Sequence, residues 1–250
     1  MDITTKDLVI FDLDGTLSAS KASMDQEMAD LLVKLLSIKK VAVISGGGYP
    51  QFEVQFLSKM SDAAGRFGSL FIMPTSGTKF YIWRGKWTEV YSESFTPTEK
   101  ETVMSALSDA FRASGYDTKA KTYGPAIEDR GSQITFSALG QSAPLDLKMA
   151  WDPDRKKREE IISLLKPKLA AFDVRLGGST SIDITRRGVN KGYGVRKLEE
   201  YLHMAPEKMI FVGDALYHGG DDYPVKAMGI DCIEVKGPDE TKKLIEGWVK

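Results

Sequence analysis

The chain has very few cysteines and histidines. It has one cysteine, Cys232, and two histidines among its 250 residues. A single cysteine excludes an intramolecular disulfide framework and suits a reducing compartment such as the cytosol. The residues around Cys232 read as a strand, so we expect this thiol to pack in the core. His218 directly precedes a glycine-rich acidic stretch, residues 219–222, and is interpreted as a solvated loop histidine.

Long apolar runs and an excess of one charge are also missing. No apolar run approaches the roughly 18 residues that a membrane span needs, and residues 1–6 lack the charged-then-apolar pattern of a signal peptide. The formal net charge of −1 gives no basis for a nucleic-acid surface or a polybasic membrane patch. These absences predict a cytoplasmic protein with no nucleic-acid and no membrane partner. Its length of 250 residues is enough for a core domain with an insert.

The most informative stretch is an apolar strand that runs into two aspartates. Leu8 to Phe11 reads as a buried strand, and Asp12 and Asp14 follow directly, before Gly15. Carboxylates at i and i+2 project to the same side and repel each other unless a cation lies between them. An isolated Asp-x-Asp is equally typical of an Asx-rich turn. The whole string to Leu17, taken with later stretches, favours a site.

Strands and helices alternate at both ends of the chain. Lys40 to Ile44 reads as a second strand, and Ser45, Gly46 and two further glycines follow it before a helix. A hydroxyl and backbone N–H groups at a helix N-terminus suit an anion, although a flexible loop has the same composition. The alternation predicts a doubly wound parallel sheet of α/β class, similar to a Rossmann fold.

The pattern changes near residue 84, where hairpins replace strand–helix units. Residues 80–83 and 87–91 read as a hairpin, and a helix is expected from Pro97 to about Ala113. A second helix is expected from Asp152 to about Ala170, with further hairpins around it. We therefore expect a compact α+β insert over residues 85–186, between residues 1–84 and 187–250 of one core domain.

Ligands of such sheets bind at the carboxyl ends of the strands. The polar residues expected there are Asp12, Asp14, Ser45, Lys191, Asp214, Asp221 and Asp222. So many carboxylates need a hard cation, most simply Mg²⁺, and a metal with a lysine facing a carboxylate nucleophile is typical of phosphoryl transfer. Taken singly, Lys191 could start a solvated helix and Asp214 could cap a turn; their joint placement favours a site.

These stretches resemble a known superfamily. Residues 11–17, Ser45, Lys191 and Gly213-Asp214 with Asp222 resemble the four motifs of the haloacid dehalogenase (HAD) phosphotransferases. The position of the insert, between the second and third motifs, resembles the type C2B cap. Residues 177–183 and 213–223 resemble the eukaryotic-type phosphomannomutases. The resemblance covers nearly the whole chain and is patchy in the insert.

The resemblance implies a role for each matching residue of the core. Asp12 would be the nucleophile that forms an aspartyl-phosphate, and Asp14 the general acid and base. Mg²⁺ would be held by Asp12, the backbone carbonyl of Asp14, Asp214 and Asp222. Ser45, Gly46 and Lys191 would bind the phosphoryl oxygens.

In the insert, Ser181 and Asp183 would meet sugar hydroxyls and Arg130 a distal phosphate. The implied partner is a small phosphate ester such as a sugar phosphate, and a homodimer through the cap is plausible.

Two departures from the phosphomannomutase pattern matter. Asp221 stands where that family has asparagine, and Gln141 stands where an arginine of the distal phosphate clamp is expected; Arg130, Lys148 and Arg175 are candidates for a substitute clamp. Bidentate arginine is not replaced well by lysine. Three hypotheses follow: a Mg²⁺-dependent phosphatase acting on a sugar phosphate, a phosphomannomutase interconverting mannose 6-phosphate and mannose 1-phosphate, and an inactive sugar-phosphate binding module.

Overall fold

The computed structural model describes residues 3–19 and 22–250, without the side chains of residues 61–64. Met1 and Asp2, which open the N-terminal segment considered above, lie outside the described residues. The chain divides into two compact units. The first unit comprises Met1–Ser92 and Val189–Lys250, and the second unit comprises Glu93–Gly188.

The first unit is built on a seven-stranded sheet. In chain order its strands are β1 (Leu8–Asp12), β2 (Lys40–Ile44), β3 (Leu70–Met73), β4 (Lys79–Trp83), β5 (Trp87–Ser92), β10 (Met209–Gly213) and β11 (Asp231–Glu234). Their spatial order is β11-β10-β1-β2-β3-β4-β5. The first five strands in this order are parallel, and β4 and β5 are antiparallel additions at one edge.

Both faces of β1, β2, β3 and β10 are covered, which explains their nearly unbroken apolar sequences. The helices of this unit are α1 (Gln26–Leu36), α2 (Tyr49–Gln55), α6 (Lys191–Leu202), α7 (Tyr223–Lys226) and α8 (Pro238–Trp248). Val9 and Phe11 point to the cluster that holds the buried side chains of α1, α2 and α8. Leu8 and Ile10 point to the opposite cluster, which holds those of α6 and α7. This arrangement confirms the expected doubly wound sheet.

The β4–β5 hairpin belongs to the sheet of the first unit. Phe71 and Ile72 of β3 pair with β4, and β4 pairs along its length with β5. The sequence placed a domain boundary at residues 84/85, inside the turn of this hairpin. Because the ladder continues across that turn, the first unit extends to Ser92, and it resumes at Val189 rather than at residue 187.

The second unit is a four-stranded antiparallel sheet with helices against one face. Its strands are β6 (Ile127–Asp129), β7 (Gln133–Ser137), β8 (Phe172–Leu176) and β9 (Ser181–Arg186), in the order β6-β7-β9-β8. Its helices are α3 (Pro97–Ser114), α4 (Leu145–Trp151) and α5 (Lys156–Leu165). Alternate residues such as Phe136 and Ile182 pack with α3 and α5 in one apolar cluster, which leaves the other face of the sheet polar.

The prediction of a helix from Asp152 to about Ala170 is wrong in both its start and its length. Helix α4 already ends at Trp151, and α5 begins at Lys156 and ends at Leu165. Asp152 lies between them, where its carboxylate accepts hydrogen bonds from the backbone N–H groups of Lys157 and Arg158. A side chain that satisfies those N–H groups marks the start of α5, not the interior of a longer helix.

Within residues 3–19 and 22–250, no helix is both long enough and apolar enough to cross a bilayer.

Candidate active site

Asp12 is the last residue of the central strand β1, and it is almost fully buried, at 3% exposure. Its Oδ2 lies 3.4 Å from the hydroxyl of Thr16, a long hydrogen bond. Gly15 turns the chain between them with φ of +85°, and a Cβ there would lie 2.5 Å from Oδ2 of Asp214. The glycine of this motif is therefore needed both for the turn and for the close approach of a second acid.

Lys191 reaches the same point from the first residue of α6. Asn190 caps this helix by accepting a hydrogen bond from the backbone N–H of Tyr193. The buried ammonium of Lys191 donates to Oδ1 of Asp12 at 2.8 Å. The cap thus fixes the start of α6 so that the side chain of its first residue meets the end of β1.

The loop after β10 supplies three more carboxylates. Asp222 is fully buried, accepts from Nζ of Lys191 at 2.5 Å, and accepts from the backbone N–H of Ala215 at 3.0 Å. Asp221, whose side chain is largely exposed, forms an ion pair with Lys191 at 2.8 Å. Asp214 follows β10 directly. One ammonium therefore meets three carboxylates, and the local charge is negative.

The acids of this site fit a divalent cation. Asp12, Asp214 and Asp222 each present one carboxylate oxygen, and these three oxygens all lie within 4.8 Å of one another. A set of hard oxygen donors is what Mg²⁺ binds in proteins. The sequence predicted these three residues as metal ligands, and the structure brings them together at the ends of β1 and β10.

Burial governs the protonation of this cluster. It raises the pKa of Asp12 well above its usual range; Lys191 lowers this pKa in part, while Asp222 and Asp221 raise it further. Burial likewise raises the pKa of Asp214 and that of Asp222. Burial disfavours the ammonium of Lys191, but the carboxylates around it outweigh that effect and raise its pKa well above its usual range. Lys191 therefore stays charged, and the carboxylates need more positive charge to be ionised together.

Ser45 and Gly46 lie in the loop that joins β2 to α2. Ser45 is buried, and its Oγ accepts a hydrogen bond from the backbone N–H of Gly47 at 3.1 Å. Because β2 pairs with β1 in parallel, with Ile44 opposite Asp12, this loop begins beside the end of β1. The structure thus places the predicted phosphate-binding loop at the same edge of the sheet as Asp12.

Asp14 has a neighbour that the sequence did not indicate. Nε2 of Gln51, on α2, donates to Oδ2 of Asp14 at 2.7 Å. The same amide donates to Oε1 of Gln55, one helical turn further, at 2.8 Å. Two glutamines at i and i+4 on the helix after a glycine loop would have been the available signal, but such a pair is ordinary on a helix surface.

The polar face of the second unit holds the other predicted residues. Ser181 and Asp183 are alternate residues of β9, and both lie on the face away from the apolar cluster. Asp183 accepts from the hydroxyl of Thr135 at 2.7 Å, and Ser181 contacts the hydroxyl of Ser137 at 3.2 Å. These three hydroxyls and one carboxylate, ordered along neighbouring strands, form a surface of hydrogen-bonding groups.

Arg130 and Arg175 are each held by an acid on their own edge of that sheet. Arg130, beyond β6, donates from Nε and from a terminal nitrogen to one oxygen of Glu128, at 3.0 and 2.7 Å. Arg175, on β8, donates to Asp173 at 2.5 Å. Strands β6 and β8 are the two edges of the sheet, three strand spacings or about 14 Å apart. Lys148 donates to the backbone carbonyl of Gln141, so each of these three cations has a partner of its own.

Cys232 lies in a strand and His218 in an exposed loop, and neither is placed among the acids of the site. Cys232 is half-buried in β11, and burial raises the pKa of its thiol to about 11, so the thiol is protonated at neutral pH. His218 is exposed, with its ring centroid 5.1 Å from that of Tyr223.

Comparison with known proteins places this geometry in context. A family model described as eukaryotic phosphomannomutase matches residues 116–250, more than half of the chain. A phosphomannomutase of Encephalitozoon cuniculi is 26% identical, over 98% of this chain and 94% of that protein. Among solved structures, an N-terminally truncated Plasmodium falciparum IMP-nucleotidase matches with a TM-score of 0.70 and 18% identity, over 96% of this chain and 69% of that chain. A haloacid dehalogenase-like hydrolase from Bacteroides thetaiotaomicron matches at 0.66 and 16% identity, over 97% and 99%.

Proposed function

The chain belongs to the eukaryotic phosphomannomutase family, enzymes of the HAD fold, and we propose that it is a Mg²⁺-dependent phosphohydrolase of a sugar phosphate or similar small phosphate ester. In this proposal the first unit is the catalytic core and the second unit is the specificity cap. A cytoplasmic location and a homodimer through the cap remain predictions of the sequence.

The proposed reaction passes through an aspartyl-phosphate on Asp12. Oδ2 of Asp12, the oxygen with the long contact to Thr16, attacks phosphorus while the bond from phosphorus to the ester oxygen breaks. Asp14 gives its proton to the departing oxygen. Asp14 then takes a proton from water as the water oxygen attacks phosphorus. The bond from phosphorus to Oδ2 of Asp12 breaks, which releases inorganic phosphate and restores the carboxylate of Asp12. Ser45, the N–H groups of its loop and Lys191 bind the phosphoryl oxygens during both steps.

A divalent cation would be held by the side chains of Asp12, Asp214 and Asp222 with the backbone carbonyl of Asp14. When bound, it supplies the positive charge that favours the ionised form of Asp12 and neutralises phosphoryl oxygens. Lys191 already provides part of this charge, since it lies 2.8 Å from Asp12.

The observation that favours hydrolysis over a mutase is the pairing of the cap arginines. A mutase must hold the far phosphate of a bisphosphorylated intermediate while it reorients. Arg130 and Arg175, candidates for that task, are already neutralised by Glu128 and Asp173. The same polar face also carries Asp183. Three acids against two arginines suit the hydroxyls of a sugar better than a second phosphate dianion.

The second candidate is a phosphomannomutase that interconverts mannose 6-phosphate and mannose 1-phosphate. It is favoured by the family itself and by relatives that match over nearly the full chain. Ser181, Asp183 and Arg130 are also present at the positions that the resemblance assigns to the sugar and its far phosphate. An inactive binding module is disfavoured because Asp12 and Asp14 are both present.

One assay separates these candidates. Mannose 1-phosphate is incubated with Mg²⁺ and a hexose 1,6-bisphosphate activator, and inorganic phosphate and mannose 6-phosphate are measured in the same sample. We expect phosphate to exceed mannose 6-phosphate, and Asp12→Ala to abolish both products. Mannose 6-phosphate in excess would overturn the hydrolase.

A matched pair of variants tests the arginine argument. Glu128→Gln removes the charge that neutralises Arg130, so the bisphosphate should bind more tightly. Its effect on turnover, whether inhibition or activation, should then appear at a lower bisphosphate concentration. Glu101→Gln, at an exposed position of α3, is the control and should change neither. Equal responses of the two variants would show that the pairing of Arg130 does not limit binding of a second phosphate.

A further inference from the structure

The amide of Gln51 lies between the carboxylate of Asp14 and the side chain of Gln55. Its Nε2 donates one hydrogen bond to each, at 2.7 and 2.8 Å, so both amide hydrogens are directed. Gln55 is buried, at 5% exposure, and therefore offers a fixed acceptor. Because Gln55 fixes the amide of Gln51, that amide can in turn hold the carboxylate of Asp14 in one orientation.

The glycine loop fixes the same amide from another direction. A Cβ placed on Gly47 would lie 2.2 Å from Oε1 and 2.5 Å from Cδ of Gln51. The amide therefore packs against the bare backbone of the loop, in space that a side chain at this position would occupy. Gly47 has φ outside the left-handed region, so the glycine is not needed for its backbone conformation; a Cβ there would instead push the amide of Gln51 out of its present position.

We propose that Gln51 is a positioning residue for Asp14, set by Gln55 and by the space over Gly47. The inference rests on the proposed function, in which Asp14 protonates the departing ester oxygen. By holding Oδ2, Gln51 fixes the rotation of the carboxylate about its Cβ–Cγ bond. The proton then lies where the ester oxygen leaves, as general acid catalysis requires.

The inference makes a prediction about leaving groups. A sugar or alkyl oxygen is strongly basic and must receive a proton as its bond to phosphorus breaks. A 4-nitrophenolate ion is a weak base and leaves without one. The value of kcat/KM reports only the steps up to the first irreversible one. Here that step is release of the alcohol or phenol after the aspartyl-phosphate has formed, so later hydrolysis of the aspartyl-phosphate does not affect kcat/KM. A misplaced Asp14 should therefore lower kcat/KM for the sugar ester and spare it for the aryl ester.

The test compares kcat/KM for a hexose phosphate and for 4-nitrophenyl phosphate, with Mg²⁺, in the full chain. Gln51→Met keeps the length of the side chain and removes the donor. We expect its kcat/KM to fall about 10- to 100-fold for the hexose phosphate, a part of what a general acid contributes, and less than about twofold for the aryl ester. Gln55→Leu should shift the ratio of the two values in the same direction by a smaller factor.

Controls separate this inference from a general loss of structure. Gln26→Met replaces an exposed glutamine of α1 and should leave both values unchanged. In the Asp14→Asn background, Gln51→Met should cause no further loss with the hexose phosphate. If Gln51→Met leaves the ratio of the two kcat/KM values unchanged, whether or not both values fall, the inference is overturned. A wild-type chain that releases phosphate from neither ester would instead overturn the proposed function.

Discussion

Replacing Lys191 with methionine removes the one ammonium that the described site places among its acids. In the native chain Nζ lies 2.8 Å from Asp12, 2.8 Å from Asp221 and 2.5 Å from Asp222. Lys191 is 2% exposed, so bulk water cannot take its place around Asp12 and Asp222. The methionine fills a similar volume, and the variant therefore isolates the loss of charge.

The expected cost is large compared with the stability of a domain. Removing one partner of a buried ion pair costs about 3–5 kcal/mol, because the other charge is left buried without compensation. The free energy of unfolding of a typical domain is about 5–15 kcal/mol. Without metal, Lys191→Met should therefore lose a substantial part of the stability of the first unit, and saturating Mg²⁺ should restore much of it.

The cost should grow with pH. The pKa of Asp12 in the folded chain is raised above its ordinary value of 3.8, so the folded state binds this proton more tightly than the unfolded state. Stability then falls as pH rises from about 4 through the raised pKa, by about 1.4 kcal/mol per pH unit for each such proton. Lys191 lowers the pKa of Asp12, so its removal raises that pKa and extends the window upward. Lys191 itself stays protonated throughout, because its folded pKa is raised above 10.5.

The assay is urea unfolding followed by circular dichroism, in EDTA and in excess Mg²⁺, at pH 5 and pH 8. The control is Lys243→Met, at an exposed position of α8, which should match the wild type in every condition. We expect the loss in Lys191→Met to be larger at pH 8 than at pH 5 in EDTA. Equal losses at the two pH values, or wild-type stability at pH 8 without metal, would refute the charge argument.

Two further predictions concern one charge in each unit. Asp221→Asn removes a largely exposed charge 2.8 Å from Lys191. We expect a lower KM for the phosphate ester and a higher half-saturating Mg²⁺ concentration, each by about two- to fivefold. Steady-state titrations that show neither change would contradict this prediction. Arg158→Met breaks the buried ion pair with Asp152 at 2.8 Å and should destabilise the second unit by about 3–5 kcal/mol; a melting temperature equal to that of the wild type would count against it.

Much of the fold could be predicted because local chemistry and tertiary structure agree. Thr96 caps α3 in a capping box with Glu99, and Asp25 caps α1, as their positions before apolar helical patterns predict. Helix α4 shows the opposite case. Its lysine, Lys148, is buried, while Leu145 and Met149 are exposed. Periodicity detects helices whose apolar side chains face the core, so a helix with this reversed pattern gives no signal.

The candidate site divides in the same way. Asp12, Ser45 and Asp214 follow directly from β–α connectivity, because the carboxyl ends of parallel strands meet at one edge of a sheet. The contact between Gln51 and Asp14 depends on which of several polar side chains the amide meets, and that is settled by packing over Gly47. Sequence patterns predict where a backbone places a residue, but not which partner its side chain selects.

That distinction bears on the choice between hydrolase and mutase. The residues of the first unit could serve either reaction, since in the proposed mechanism both pass through a phosphoryl group on Asp12. The difference lies in whether a second phosphate can be held, and a guanidinium already neutralised by a carboxylate is a poor site for it. Arginine content alone therefore misleads: what counts is the charge left after Glu128 has paired with Arg130 and Asp173 with Arg175. We propose that these two acids, rather than any residue that touches the transferring phosphoryl group, favour water as the final acceptor.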